Sequence, residues 1–310
     1  MSPSVESASS ALPPTERRNP RSMNLDDLNT LEVLQLLNTE DRVAVDAVAA
    51  VLPELAPVVH EAARRLRRGG TVHYFGAGTS GRLGVLDASE LMPTYNLEPG
   101  RVVGHIAGGP QALVEAVENA EDSVESGRAD ASALSSDDLA IGIASSGNTP
   151  YVAGALESAR GAGAYTVLIS SNPEARVAAH ADQHLLLNTG PEVVTGSTRM
   201  KAGTAQKLVL NGFSTALMIE LGRTWQNLMV SVVATNAKLR ERTTRILCDA
   251  ADLDAYEASA LLERTGGDLK VGILAALGEV SVQEAIELLE EHAGSVREAL
   301  RDPRSTARRP

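Results

Sequence analysis

The chain has 310 residues, 43% of them apolar, and a single cysteine, Cys248, so it has room for one full domain plus a smaller one and forms neither an intrachain disulfide nor a cysteine-based zinc site. The cysteine usage fits a reducing, cytoplasmic compartment. A formal net charge of -12 argues against a general nucleic-acid binder, which neutralises phosphates with clustered Lys and Arg. An anionic small molecule must therefore be held locally, by backbone amides, hydroxyls and a few placed cations. The only lysines are Lys201, Lys207, Lys238 and Lys270, three of them in one stretch of chain.

In chain order, residues 1–22 read as a disordered lead, rich in Ser, Pro and Arg and without the continuous apolar core of a signal peptide. No later apolar run reads as long enough to span a bilayer, so neither membrane nor nucleic acid is expected as a partner. From Leu25 to Arg68 apolar residues recur at helical spacing, which predicts two or three helices with Thr39 as a cap between them. Strand-like runs follow at Val72 to Phe75, Val102 to Ile106, Leu139 to Ala144 and Tyr165 to Ser170. Helical patterns near Arg82 to Glu90, Ala112 to Glu125 and Tyr151 to Arg160 separate them. Runs apolar on both faces and separated by helices predict an α/β fold with a parallel sheet covered on both sides. Gly196 to Gly222 reads as a loop and a long apolar helix. From about Asn236 to Leu300 the pattern breaks into short helices near Asp254 to Arg264, Leu269 to Leu277 and Val282 to Glu290, a small helical subdomain. Residues 302–310 read as a disordered tail.

Gly76-Ala77-Gly78-Thr79-Ser80-Gly81 follows a strand and opens a helix, formally the dinucleotide fingerprint. The next strand, Arg101 to Ala107, supplies no acidic residue for a ribose, so the loop reads instead as a glycine turn with two hydroxyls at a helix N-terminus, where free N–H groups and the helix dipole favour an anion. A ligand-free tight turn remains an even alternative. Ser145-Ser146-Gly147-Asn148-Thr149-Pro150 repeats the arrangement after another strand. Two hydroxyl loops without the lysine of a P-loop favour a phosphosugar over a nucleotide. Glu90, before Leu91-Met92-Pro93, is a carboxyl group with apolar neighbours and a candidate general acid. By its residues alone it reads first as a helix-end surface glutamate, and Glu121, within an acidic run, reads as a solvated helix face. His180 and His184 lie in a loop entering a strand without an accompanying acid and read as structural.

Several segments together resemble a known family: Thr15-Glu16 with Arg18-Asn19-Pro20, Gly76 to Glu90 with Pro93-Thr94-Tyr95, Ile106 to Gly109, Ala120 to Ser123, Ser146 to Val152, and above all Gly190 to Lys207. They are similar to the sugar isomerase (SIS) domain proteins and, within these, to the N-acetylmuramic acid 6-phosphate etherases, from about Thr15 to the last helix. The resemblance implies a SIS-type doubly wound parallel sheet with flanking helices over residues 23–235. It also implies a small ubiquitin-associated-like helical subdomain over 236–301 and a homodimer with sites near the interface. The implied reaction cleaves the lactyl ether of N-acetylmuramic acid 6-phosphate, giving N-acetylglucosamine 6-phosphate and D-lactate, without metal or cofactor. In the family's mechanism the ring-opened aldehyde acidifies the C2 proton, lactate is eliminated from C3, and water adds to the double bond.

By position in these motifs Glu90 resembles the family's proton donor and Glu121 its second acid/base residue. Substrate and phosphate contacts are expected from Gly78, Thr79, Ser80, Gly81, Ser145, Ser146, Gly147, Asn148 and Thr149, and from Glu192, Ser197, Arg199 and Lys201. The chain departs from the family where Leu91-Met92 replaces a frequent Cys-Pro and where Asn96 replaces a common glycine. Two other SIS functions share these loops: a non-catalytic sugar-phosphate sensor like the glucokinase regulatory proteins, which share Gly196 to Lys201, and a phosphosugar isomerase.

Overall fold

The computed structural model describes residues 12–232, 234 and 237–305. Contacts divide the chain into two compact units, Met1–Ser89 with Gly100–Ser214, and Glu90–Pro99 with Thr215–Pro310. The boundary that the sequence pattern put after residue 235 thus falls earlier, inside a helix. An apolar helix that continues through a boundary gives no compositional break to read.

The first unit opens with the segment read as a disordered lead. Its described part, from Leu12 on, is instead built in, with 3₁₀ turns at Pro14–Glu16 and Pro20–Ser22 and with Thr15 and Asn19 buried. Polar contacts described below hold it, which an apolar pattern cannot report. Next comes α1, Thr30–Arg67, one helix of 38 residues where two or three were expected. Asn29 caps it in a reciprocal box with Glu32, and Thr39 lies inside it, its hydroxyl bonded to the Gln35 carbonyl. Pro53 and Pro57 each remove a helical N–H. The burial of Val51, Leu55, Val58 and Val59 around them keeps the helix continuous. By length and composition alone α1 is long and apolar enough to cross a membrane, where no run of that kind was expected from sequence. A third of its apolar window is buried within the protein, and its buried stripe runs from Ala44 to Leu66.

The sheet contains β1 (Val72–Gly76), β2 (Val102–Ile106), β3 (Leu139–Ile143), β4 (Tyr165–Ser170) and β5 (Gln183–Leu186), all parallel, in the order β2-β1-β3-β4-β5. Helix α2 (Gly78–Tyr95) follows β1, α3 (Val124–Asp130) precedes β3, α4 (Pro150–Gly161) follows β3, and α5 (Lys201–Glu220) follows β5. One face of the sheet, through Phe75, Ala140 and Leu168, packs on α4 through Tyr151, Val152, Ala155 and Leu156, and α3 packs on α4. On the other face Tyr74 meets Phe213 of α5 edge-on and Gly84 of α2 at close range. The predicted doubly wound sheet is therefore present. The helix expected over Ala112 to Glu125 is not. Gly108, Gly109 and Asn119 take positive φ, so the segment forms 3₁₀ turns at Pro110–Leu113 and Ala120–Asp122, and regular helix begins only at Val124.

The order places a switch point between β1 and β3. From β1 the chain leaves to β2 on one side, and from β3 it leaves to β4 on the other. In such sheets the crevice at the carboxyl ends of the two central strands is the ligand site. Both hydroxyl loops emerge there.

The second unit is helical. It holds α6 (Ala237–Ala251), α7 (Ala255–Arg264), α8 (Leu269–Gly278), α9 (Val282–Glu291) and α10 (Val296–Ala299), together with a two-residue hairpin of β6 (Thr224–Trp225) and β7 (Leu228–Met229). The sequence pattern carried α7 to α9 but neither α6 nor the hairpin. Ile246, Leu247, Leu262, Leu274 and Leu288 form its core. Reciprocal boxes of Asp254 with Glu257 and Ser281 with Glu284 start α7 and α9. The tail expected from Asp302 is ordered in its described part, where Asp302 bonds His292 and Arg304, and Arg304 also bonds Glu291.

Candidate functional site

The first hydroxyl loop is tighter than its sequence implies, because α2 begins at Gly78 and only Ala77 separates it from β1. A Cβ on Gly76 would stand 2.6 Å from the Gly81 nitrogen, and one on Gly81 would stand 2.6 Å from Ile106 Cγ1. The glycines let helix and strand close together, so Gly78 and Thr79 are presented at the strand end while Ser80 is turned inward and buried. The Ser80 hydroxyl donates to Gln206 Oε1 at 2.9 Å.

The second loop leaves β3 and enters α4. Ser145 is buried and accepts from Gln206 Nε2 at 2.9 Å. Gly147 takes φ 65°, and a Cβ there would lie 2.3 Å from that of Ala175. Asn172, at the end of β4, donates to the Ser146 carbonyl at 2.9 Å, and Asn148 accepts from the Arg176 backbone at 3.0 Å. Within the loop the Ser146 hydroxyl accepts from the Asn148 amide at 3.2 Å and keeps its own proton. Thr149 is the N-cap of α4 by backbone, yet its hydroxyl makes no capping bond, and Pro150 occupies the first helical position. The Tyr151 and Val152 amides in the first turn of this 12-residue helix therefore receive no cap from Thr149. Ser146 and Thr149 are half-buried beside them.

Residues of the Gly190 to Lys207 segment divide differently from expectation. Glu192 is buried and accepts the Lys201 and Ala202 backbone amides at 3.2 and 3.0 Å, so it caps α5. Lys201 is 1% exposed, and its ammonium lies 2.5 Å from Glu40 Oε2. Both were expected at the substrate, and both are spent inside the protein. Burial alone would raise the Glu40 carboxyl, but hydrogen bonds from Arg21, Lys201 and Asn19 outweigh it and hold it at about 2. Through this carboxylate the N-terminal segment is clamped to α1. Asn19 also reaches the Pro191 carbonyl, Ser22 the Val193 carbonyl, and the Gly196 amide donates to Thr15. Ser197 is half-buried, and Arg199 is exposed with no hydrogen bond or ion pair among the described residues.

Glu121 sits in the Ala120–Asp122 turn of the β2–α3 connection. It is exposed and without a side-chain partner among the described residues, while Ala120 packs on the core cluster that also receives Ala77 of the first loop. Glu90, in the second unit, is likewise exposed and unpartnered among the described residues. The apolar surroundings expected around it are not found at its own side chain. Nearby, Leu91 is buried and Met92 exposed, and Asn96 takes φ 51°, a conformation that accounts for glycine being common at that position.

Two polar groups escaped the sequence reading. Gln206 lies inside an apolar helix, where nothing in the pattern marks it. Asp87 is buried and accepts from Tyr74, Asn211 and Ser214 at 3.0, 2.7 and 3.0 Å, with burial raising its pKa against those bonds. His184, read as structural, bonds Ser170 within the sheet. Among the described residues no three His, Cys, Asp or Glu side chains gather as a metal site.

Residues 54–160 match the glucokinase regulatory protein N-terminal SIS domain, and residues 114–216 match the SIS domain. The chain is 54% identical over 264 residues to the N-acetylmuramic acid 6-phosphate etherase of Thermobifida fusca strain YX, covering 85% of this chain and 87% of that protein. To the enzyme of the same name from Pectobacterium atrosepticum it is 51% identical over 288 residues, covering 92% and 95%. A phosphoheptose isomerase structure from Francisella tularensis superposes with TM-score 0.51 at 16% identity, covering 62% of this chain and all of that one, and shares the fold.

Proposed function

The chain belongs to the N-acetylmuramic acid 6-phosphate etherase family, and from that premise we propose that it cleaves the lactyl ether of N-acetylmuramic acid 6-phosphate, releasing D-lactate and N-acetylglucosamine 6-phosphate. The observation that carries this reading to the geometry is the uncapped N-terminus of α4 with its free Thr149 hydroxyl at the switch point. A dianionic phosphate is suited to that position, where amides and hydroxyls bind it without a lysine. Thr149, Ser146 and the α4 amides are assigned to the phosphate, with Gly78 and Thr79 on its other side. Lys201 and Glu192 are assigned to support.

In the ring-opened sugar the C1 aldehyde makes the C2–H bond acidic. One carboxylate takes that proton and the C3–O bond breaks, its electron pair leaving on the lactate oxygen, which is protonated by a carboxylic acid. Water then adds its hydroxyl at C3 and a proton returns to C2. Glu90 is assigned to the leaving oxygen and Glu121 to the second proton transfer. Both carboxylates are exposed and unpartnered among the described residues, so their oxygens are open to a ligand, whereas Glu40, Asp87 and Glu192 are engaged by other groups. A cytoplasmic homodimer accords with this reading. On α1, Leu31, Leu34, Val45 and Leu52 are exposed within about 60° of arc, an apolar stripe suited to a second copy.

The test is to incubate the purified protein with N-acetylmuramic acid 6-phosphate and assay D-lactate. Release is expected, with Glu90→Gln reducing it roughly a hundredfold or more while phosphosugar binding persists. No release above that of the variant overturns the reading, and ketose–aldose interconversion in its place selects an isomerase.

A further inference from the structure

We propose that Gln206 is a positioning residue that decides which serine of the two loops offers its hydroxyl proton to the phosphate. The inference rests on the phosphosugar reading and deepens it. Gln206 stands on the second turn of α5, fully buried, and its amide spans the two loops of the switch point. Its two ends are chemically different. Oε1 only accepts, and takes the Ser80 proton at 2.9 Å; Nε2 only donates, and gives to Ser145 Oγ at 2.9 Å.

A serine hydroxyl carries one proton. That of Ser80 is consumed by the amide, so Ser80 has lone pairs but no donor left for an anion. Ser145 receives a hydrogen bond and keeps its own proton, for which no acceptor exists among the described residues. Ser145 is thereby the donor hydroxyl of the pair, beside Ser146 and the α4 amides, and Ser80 is the strut that anchors the amide. The two serines, equivalent by motif, take different roles because one asymmetric group lies between them. Burial sharpens the distinction, since water is not at hand to supply a missing partner. Gln206 acts through Ser145 and the loop positions, not by touching substrate.

Binding of inorganic phosphate and glucose 6-phosphate to the full-length protein by calorimetry tests this, read beside KM, kcat and the thermal midpoint. Gln206→Glu presents only acceptors and so draws both serine protons inward. We expect it to weaken both phosphate probes about tenfold or more, the worth of a hydrogen bond to a charged group, with a larger rise in KM than fall in kcat. Ser145→Ala should match that loss, Ser80→Ala should lose clearly less, and binding of unphosphorylated sugar should be unchanged in all three. A folded Gln206→Glu protein with wild-type affinity overturns the proposal. If that variant does not fold, the serine pair decides: equal losses, or a larger one in Ser80→Ala, overturn it.

Variants that show this ordering beside a wild type that releases no D-lactate refute the etherase reading and leave the role of Gln206 standing. Lactate release by the wild type without that ordering among the variants refutes only the role of Gln206. Failure of the wild type to bind either phosphate probe removes both.

Discussion

The Ser145–Thr149 loop and the Glu192–Lys201 segment both look like anion-binding sequence, one by its hydroxyls and the other by its charges, yet the fold uses them oppositely. In the first, Asn172 and the Arg176 backbone hold the loop, Ser146 accepts only the neighbouring Asn148 amide, and Thr149 makes no capping bond, so both hydroxyl protons stay available. In the second, the charged groups are consumed, Lys201 by Glu40 and Glu192 by the first amides of α5. A buried ammonium must find an anion within the protein, because its desolvation is too costly to leave until a ligand arrives. A neutral hydroxyl or amide can wait.

Breaking the second segment should give the largest effect. Lys201→Met leaves the Glu40 carboxylate buried with only part of its compensation and is expected to cost about 3–5 kcal/mol, measured by urea unfolding. A loss below about 1 kcal/mol, or a selective loss of phosphate affinity at unchanged stability, would reverse the contrast and return Lys201 to the ligand. Gly147→Ala strikes the first segment. The positive φ and the 2.3 Å approach to Ala175 predict roughly 1–3 kcal/mol of destabilisation together with weaker binding of glucose 6-phosphate, since the loop must shift to admit a methyl group. Stability loss with intact binding would show that loop geometry does not set the anion site.

The smallest effect is a pH dependence whose sign separates the carboxylates. Glu40 is held at about 2 in the folded state, below its ordinary value, so its contribution is complete above pH 4.5 and drains as pH falls toward 2. Asp87 and Glu192 are raised, chiefly by burial, so their contribution is present below the ordinary carboxyl range and lost as pH rises through their folded values. Stability should therefore gain slightly as pH is lowered from 7 toward 4.5, then fall. Asp87→Asn should flatten the upper part, and an unchanged slope in that variant would exclude Asp87 as its source.

The sequence by itself determined the parallel sheet, the two hydroxyl loops, their placement after strands and the family, because strand burial, glycine turns and contiguous motifs are local properties. It even supplied the reason to set the nicotinamide reading aside, the missing acid after the second strand. What it left open was which polar residue each partner would claim. Glu40 and Lys201 are 161 residues apart, Ser80 and Gln206 126. No periodicity links such pairs, an apolar helix conceals Gln206, and nothing local shows that Lys201 is buried. The tertiary structure alone decided that the lead segment is clamped by a buried carboxylate, that the charged signature supports α5, and that an amide divides the labour between two serines. Long-range polar pairing is fixed by which groups are buried together, and burial is a property of the whole fold.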